Sequence, residues 1–227
     1  TSAAVWLSVT RIGVDRRAAA EAAVAAGADV LVLDDGLQNP ALAKDLSIAV
    51  FDAGVGVGNG HCLPAGPLRA PLAAQWPLAQ AALVIGEGAP GEGIAGEARA
   101  RGLAVLRARM DPDPDVVAQL RGRPLLAFAG IGRPQKFFDT LTVEGLDLDS
   151  TAAFPDHHAY VAGEIASLAR RANADGLRLV TTQKDFARLG PEARAEGAAA
   201  GLIALPATLT LREGDLDALL ARALGRS

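Results

Sequence analysis

Short apolar runs that alternate with helix-like stretches narrow what this chain can fold into more than any other feature. They predict an α/β protein on a mainly parallel sheet. Residues 30–33 (Val-Leu-Val-Leu) form a continuous apolar run fit for a central strand buried on both faces. Residues 46–51, 81–85 and 103–106 repeat the pattern. An alanine-rich helix is predicted over 17–26, closed by Gly27. Between the second and third runs lies a Gly/Pro-rich loop, 54–71, longer than the roughly 12–15 residues of an ordinary connection. A stretch rich in Pro, Asp and Arg over 110–124 predicts a domain boundary. Beyond it, strands are expected over 125–128, 148–154 and 177–181, and helices over 135–141, 161–172 and 213–224.

Composition removes several classes of function. With 227 residues, 50% of them hydrophobic and a net charge of −4, the chain can bury a core and is not intrinsically disordered. Nothing in that charge suggests tracking of a nucleic-acid backbone, so no nucleic-acid partner is expected. Cys62 is the single cysteine and has no partner for an internal disulfide. No apolar run approaches the roughly 18 residues a bilayer-spanning helix needs. The chain starts at Thr1 instead of a methionine, which suggests a processed or truncated start.

Chemistry can sit at five places. Asp34 and Asp35 follow the 30–33 run, at the carboxyl edge where open α/β sheets gather ligands. An apolar strand ending in Asp also holds nucleotide Mg²⁺ in P-loop proteins, although a turn with solvated acids reads equally from spacing. The loop holds Gly56, Gly58 and Gly60, then Leu63-Pro64-Ala65-Gly66-Pro67-Leu68-Arg69. It can approach a ligand and offer the Arg69 fork to a phosphate, or be an Ω-loop packed on its own prolines. Phe154-Pro155-Asp156-His157-His158 places a histidine beside an aspartate, a pair suited to acid–base work on a hydroxyl or to ordinary packing. Zinc on His61, Cys62, His157 and His158 is disfavoured, because neighbouring residues on extended backbone face opposite ways. Phe128–Pro134 and Thr181–Asp185 each sit between a strand and a helix, where an anion can be held or an ordinary N-cap can stand.

Two phosphate-binding motifs bear on the function. None of Lys44, Lys136 and Lys184 follows a glycine, so G-x-x-x-x-G-K-[ST] does not occur in these residues. Gly86, Gly88 and Gly91 formally match G-x-G-x-x-G, but Glu87 and Glu92 would set negative charge beside a pyrophosphate. A surface loop is the better reading, and a dinucleotide-binding oxidoreductase ranks well below the alternatives.

Taken in order, VLVLDDGLQ (30–38), the Leu42/Asp45 pair, GNGHCLPAGPLR (58–69), FAGIGRPQKFF (128–138), FPDHHAY (154–160) and TTQKD (181–185) resemble the tetraacyldisaccharide 4′-kinases, the lipid A 4′-kinase family of Gram-negative bacteria. The resemblance implies transfer of the γ-phosphoryl of ATP to the 4′-hydroxyl of an acylated glucosamine disaccharide 1-phosphate, giving lipid IVA. It implies Mg²⁺ as cofactor and peripheral attachment to the cytoplasmic face of the inner membrane. It implies a P-loop NTPase-like domain, of which 1–110 is the remainder, and a smaller α/β domain over 123–227. Asp34 and Asp35 match carboxylates for Mg²⁺ and nucleotide, with Gln38 beside them on the nucleotide side. His157 matches a histidine implicated in activating the acceptor hydroxyl, and Arg69 matches an active-site arginine. Two positions depart from the family: Ala70 stands where it has Glu, and Gln183 where it has Glu. The chain is also expected to be about one hundred residues short of the loop-to-helix anatomy a P-loop needs. The competing expectation is a non-catalytic remnant that binds lipid or a partner protein.

Overall fold

The computed structural model describes residues 15–225, so Thr1, on which the expectation of a processed start rests, lies outside the described residues. The chain divides into two compact units, Thr1–Arg109 with Leu211–Ser227, and Met110–Thr210. The closing stretch therefore belongs to the first unit.

In the first unit, α1 (Arg16–Ala25) starts on Asp15, whose carboxylate accepts from the amides of Arg17 and Ala18. A four-stranded sheet follows in the order β1 (Ile48–Asp52), β2 (Ala81–Ile85), β3 (Ala104–Pro112), β8 (Ala207–Glu213). The first three strands are parallel, with Ile48 opposite Ala81 and Ala81 opposite Ala104. Helix α2 (Leu72–Gln75), the 3₁₀ turn Trp76–Leu78 and α3 (Ala89–Ala100) connect them. One face of the sheet packs Ala82 and Val84 against Trp76, Ile94, Ala95 and Ala98. The other packs Ala81 and Leu106 against Leu219 of α9 (Leu216–Ala223). That contact is the physical reason the closing helix joins this unit.

One expectation fails here. Residues 30–33 are not a strand: they run unpaired, and Val30, Leu31 and Val32 are exposed, Val32 to 92%. An apolar run becomes a buried strand only when ladder partners flank it. Among the described residues none pairs with it, and β1 is the last strand on its side of the sheet. At Gly86–Gly91, where a surface loop is the better reading, the segment runs from the end of β2 into the start of α3. Gly91 presses α3 onto the end of β1, its amide donating to the Ala53 carbonyl at 2.9 Å, and a Cβ there would lie 2.6 Å from that of Ala53. Glu92 is bound bidentately by Arg107 at 2.6 and 2.7 Å, which holds its carboxyl below the usual range.

The second unit is a complete small α/β layer structure. Its sheet runs β5 (Leu148–Ala153), β4 (Leu125–Ala129), β6 (Arg178–Thr182), β7 (Ile203–Leu205), all parallel. Every residue of β4 is buried, as a central strand requires. Leu125, Ala127 and Ala129 face a core with Val117 and Leu120 of α4 (Pro114–Leu120) and Phe137, Phe138 and Leu141 of α5 (Pro134–Val143). Leu126 and Phe128 face the opposite core, with Ile165 and Leu168 of α6 (Ala162–Ala174) and Ala193 of α8 (Pro191–Ala199). Helix α7 (Gln183–Arg188) follows β6 directly. The expected boundary stretch is itself structured: β3 runs on to Pro112, and Asp113 caps α4 through the amides of Asp115 and Val116. Among the described residues no helix is long and apolar enough to cross a membrane.

Candidate functional site

In the first unit the nominated residues lie on the surface around one turn. Asp35 takes a left-handed backbone (φ 52°), and its Oδ2 meets Arg69 Nη2 at 2.6 Å. Arg16 Nη1 donates to the carbonyls of Asp34 and Asp35, at 3.0 and 3.2 Å, and pins the turn to α1. The Asp34 and Asp35 side chains are exposed, and Asp34 makes no ion pair among the described residues. Gln38 Nε2 donates to Gln75 Oε1 at 2.5 Å, and Gln75 Nε2 donates on to the Ala70 carbonyl at 2.6 Å. This chain of amides ties the 34–38 segment to the end of the glycine-rich loop. Asp35, Arg69 and Gln38, nominated separately from the sequence, are thus neighbours. Gln75, the last residue of α2, carries no signal in the sequence for this role; the structure shows it as a buried glutamine.

The 54–71 loop is organised by hydrogen bonds among its own polar groups. Asp52 opens it by accepting from the amides of Gly54, Val55 and Gly56. Asn59 Nδ2 donates to the Ala65 carbonyl, and Asn59 Oδ1 accepts from the His61 amide. The Leu63 amide donates to Leu68 and the Leu68 amide to His61, closing a ring around the cis Leu63–Pro64 bond. A Cβ on Gly66 would run into Asn59 Oδ1 and the His61 carbonyl. We therefore expect Gly66→Ala to displace the ring and lower stability by about 1–3 kcal/mol, read as a shift of the urea midpoint. Removal of the Asn59 side chain in the same background should recover part of the loss.

Asp34 and Asp35 offer hard oxygen donors. Mg²⁺ is commonly bound by one or two carboxylates plus substrate phosphates, so this pair fits it, with Arg69 competing for Asp35. Among the described residues no group of three or more His, Cys, Asp or Glu converges on a metal site.

In the second unit the chain order β5-β4-β6-β7 reverses between β4 and β6, and crevices at such switch points are where open α/β sheets bind ligands. The segments nominated from sequence meet at this carboxyl edge. Gly130 follows β4, Pro155–His158 follows β5, and Thr181–Asp185 runs from the end of β6 into α7. His157 is left-handed (φ 58°), its amide donating to the Gly130 carbonyl at 3.1 Å and to Asp156 Oδ1 at 2.9 Å. Its ring is 76% exposed, with Arg188 Nη2 at 3.2 Å from Nδ1. His158 turns the other way: Nε2 contacts Glu164 at 2.9 Å, and the ring joins the aromatic cluster of Phe154 and Tyr160. The His158 contact, then the Val161 amide, hold the Glu164 carboxyl below its ordinary range.

Below this loop, Tyr160 is buried, and among the described residues its hydroxyl meets no partner in hydrogen-bonding geometry. Burial first, and then the negative charge of Asp185, push its ionisation well above the ordinary value of 10.0. A folded-state rise of this kind means the native protein keeps a proton that the unfolded chain releases. Its stabilising effect is complete below pH about 10 and is lost as pH climbs further. Tyr160 is the only tyrosine. We expect absorbance at 295 nm to show no phenolate until the protein unfolds, and Tyr160→Phe to flatten the alkaline limb of the stability–pH curve.

Two units, each built on a mainly parallel sheet, with acids and an arginine on one and a histidine at the switch point of the other, define a class: an α/β protein. The chain belongs to the family described as LpxK, tetraacyldisaccharide-1-P 4′-kinase, whose model matches residues 3–225. It is 58% identical over 213 residues to the tetraacyldisaccharide 4′-kinase of Methylobacterium sp. (strain 4-46), a match covering 94% of this chain and 62% of that protein. It is 55% identical over 213 residues to the protein of the same name from Methylobacterium nodulans, covering 94% and 61%. The chain therefore spans a little over three fifths of the length of these curated relatives. Among solved structures, LpxK from Aquifex aeolicus in complex with ATP superposes with a TM-score of 0.50 at 18% identity, over 84% of this chain and 55% of that one. That likeness bears on the fold.

Proposed function

We propose that this chain works in the ATP-dependent phosphorylation of the 4′-hydroxyl of tetraacyldisaccharide 1-phosphate, the step that gives lipid IVA. The observation that carries the reading is conformational. Among the described residues, two non-glycine residues have left-handed backbone, Asp35 and His157. They are the metal-side acid and the acceptor-side histidine that the family resemblance nominates. Such backbone costs about 1–3 kcal/mol per residue and persists where the surroundings enforce it, above all at functional sites.

In this reading Asp34 and Asp35 would hold Mg²⁺, which would supply charge neutralisation to the phosphates of ATP. Arg69 serves the phosphates, and Gln38 holds the 34–38 segment in place through Gln75. His157 addresses the acceptor hydroxyl. Phosphoryl transfer asks mainly for positioning and charge neutralisation, and these residue types supply both. ATP as donor is supported by the names of the relatives and by the ATP complex of the Aquifex protein. A tetraacylated acceptor resides in a bilayer, so we place the protein peripherally on the cytoplasmic face of the inner membrane. The test is transfer of label from γ-³²P-ATP to the acylated disaccharide by the protein expressed from its full reading frame. No Mg²⁺-dependent transfer, or transfer indifferent to His157→Ala, overturns the reading.

A further inference from the structure

We propose that Arg188 is a positioning residue that fixes the tautomer of His157, so that His157 presents Nε2–H and meets its ligand as a hydrogen-bond donor. The importance of that donor for catalysis rests on the proposed function; the tautomer itself does not.

A guanidinium has five donors, no acceptor, and stays protonated in proteins. Arg188 Nη2 lies 3.2 Å from His157 Nδ1, so this contact is a hydrogen bond only if Nδ1 carries a lone pair. The neutral ring then has its single proton on Nε2. The opposite side of the ring agrees, because Asp156 Oδ2 lies 3.8 Å from Nε2 and favours a proton there. A cation faces the bare nitrogen and an anion faces the protonated one.

Arg188 is itself held from behind. Its Nη1 donates to the Gly130 carbonyl at 2.9 Å and lies 3.4 Å from Asp185 Oδ1. Asp185 is fully buried; its Oδ2 accepts from Thr182 Oγ1 at 2.7 Å, and its amide donates to the same hydroxyl at 3.0 Å. The Gly130 carbonyl also accepts from the His157 amide, so one acceptor fixes both the left-handed backbone of His157 and the cation that reads its ring. Gly130 must stay a glycine for this, since a Cβ would lie 2.7 Å from the Tyr160 hydroxyl. The anchor is buried and the ring exposed, as expected for a support that holds a working group toward a ligand. A neutral ring in this state donates from Nε2 to an acceptor or phosphoryl oxygen and has no lone pair there to take the hydroxyl proton.

The experiment is ¹⁵N spectroscopy of protein labelled at histidine, at a pH where the rings are neutral. The chain has three histidines, and His157→Asn assigns the ring in question. The expected result is a His157 ring wholly in the Nε2–H form, with Nδ1 shifted as an unprotonated nitrogen that accepts a hydrogen bond. In Arg188→Gln both nitrogens should move toward the two-tautomer average of free histidine, while the His158 signals, set by Glu164, stay put and report an intact fold. If Arg188→Gln fails to fold, Arg188→Lys replaces it. One ammonium cannot serve Nδ1, Gly130 and Asp185 with the reach of the fork, and the Nδ1 shift should again move toward the free value. A wild-type ring protonated on Nδ1, or His157 shifts unchanged in a folded Arg188 variant, overturns the proposal. Kinetics make a separate arm: Arg188→Gln should lower kcat about tenfold or more at unchanged KM for ATP. His157→Gln, whose amide donates from near the Nε2 position, should retain more activity than His157→Ala. Failure of the kinetic arm with the tautomer result intact counts against the function assigned to His157 and leaves Arg188 as its positioning residue.

Discussion

Asp35→Ala is expected to lower kcat for phosphoryl transfer by about two to three orders of magnitude, the usual range for removing one preorganised charge-stabilising group, while leaving the protein folded. The two halves of this expectation have different origins. Catalytically, the substitution removes one of two adjacent carboxylates available to Mg²⁺ and frees Arg69 from its ion pair at this turn. Structurally, the Asp35–Arg69 pair is half exposed, with side chains 50% and 60% accessible, and pairs of that kind contribute about 0–1 kcal/mol. Alanine is also poorly suited to the left-handed backbone of residue 35, which adds about 1 kcal/mol. Asp35→Asn controls for this, because asparagine tolerates the same backbone and differs only in charge. Both variants should lose activity alike, and the asparagine variant should unfold within about 1 kcal/mol of the wild type. Steady-state kinetics and urea unfolding of the same preparations check it. Activity of Asp35→Asn within a few-fold of wild type would remove Asp35 from the catalytic set.

The legibility of this protein in its sequence differs between the units for a physical reason. In the second unit, strands expected over 125–128, 148–154 and 177–181 appear as Leu125–Ala129, Leu148–Ala153 and Arg178–Thr182, with no end displaced by more than one residue. Those strands have their neighbours within the unit, so local pattern and tertiary context agree. In the first unit the run 81–85 appears as Ala81–Ile85, yet the more strongly apolar 30–33 stays unpaired and exposed. Its pattern states what it could bury but cannot supply a partner strand. The strand Ala207–Glu213 went unread because none of its residues is buried. Helix α3 was hidden by its glycines and alanines, which pack closely without the bulky periodic stripe that marks an amphipathic helix.

The site divides along similar lines. Asp34, Asp35, Arg69 and His157 could be nominated because each lies in a recognisable motif. The pairing of Asp35 with Arg69, 34 positions apart, follows only from the loop that folds between them. Arg188 carried no signal beyond its place three residues after Asp185, an ordinary helical ion-pair spacing. Its relation to His157 arises because β4, β5 and β6 end side by side. Contacts set by strand order are invisible to local pattern even when every residue that makes them is in view.

Phe128→Ala is expected to be the most destabilising single change in the second unit, at about 3–5 kcal/mol. Phe128 is fully buried on β4, the central strand, and its ring meets Phe154 at 6.3 Å and Tyr160 at 5.5 Å edge-on. Alanine would leave a cavity that backbone cannot close, because β4 is fixed by ladders on both sides. The damage should reach the site. Phe154 and Tyr160 bracket the left-handed His157, and with the Phe128 ring gone their packing against β4 is lost. Urea unfolding should show the midpoint fall with little change in slope, the signature of lost stability without an altered denatured state. Val143→Ala, at a side chain 77% exposed, is the control and should stay within about 0.5 kcal/mol of wild type. In hydrogen exchange, Phe128→Ala should deprotect the His157 amide, now bonded to Gly130, by at least as much as the global change. A His157 amide that kept wild-type protection in a destabilised Phe128→Ala protein would show that the aromatic cluster stabilises the unit without supporting the site.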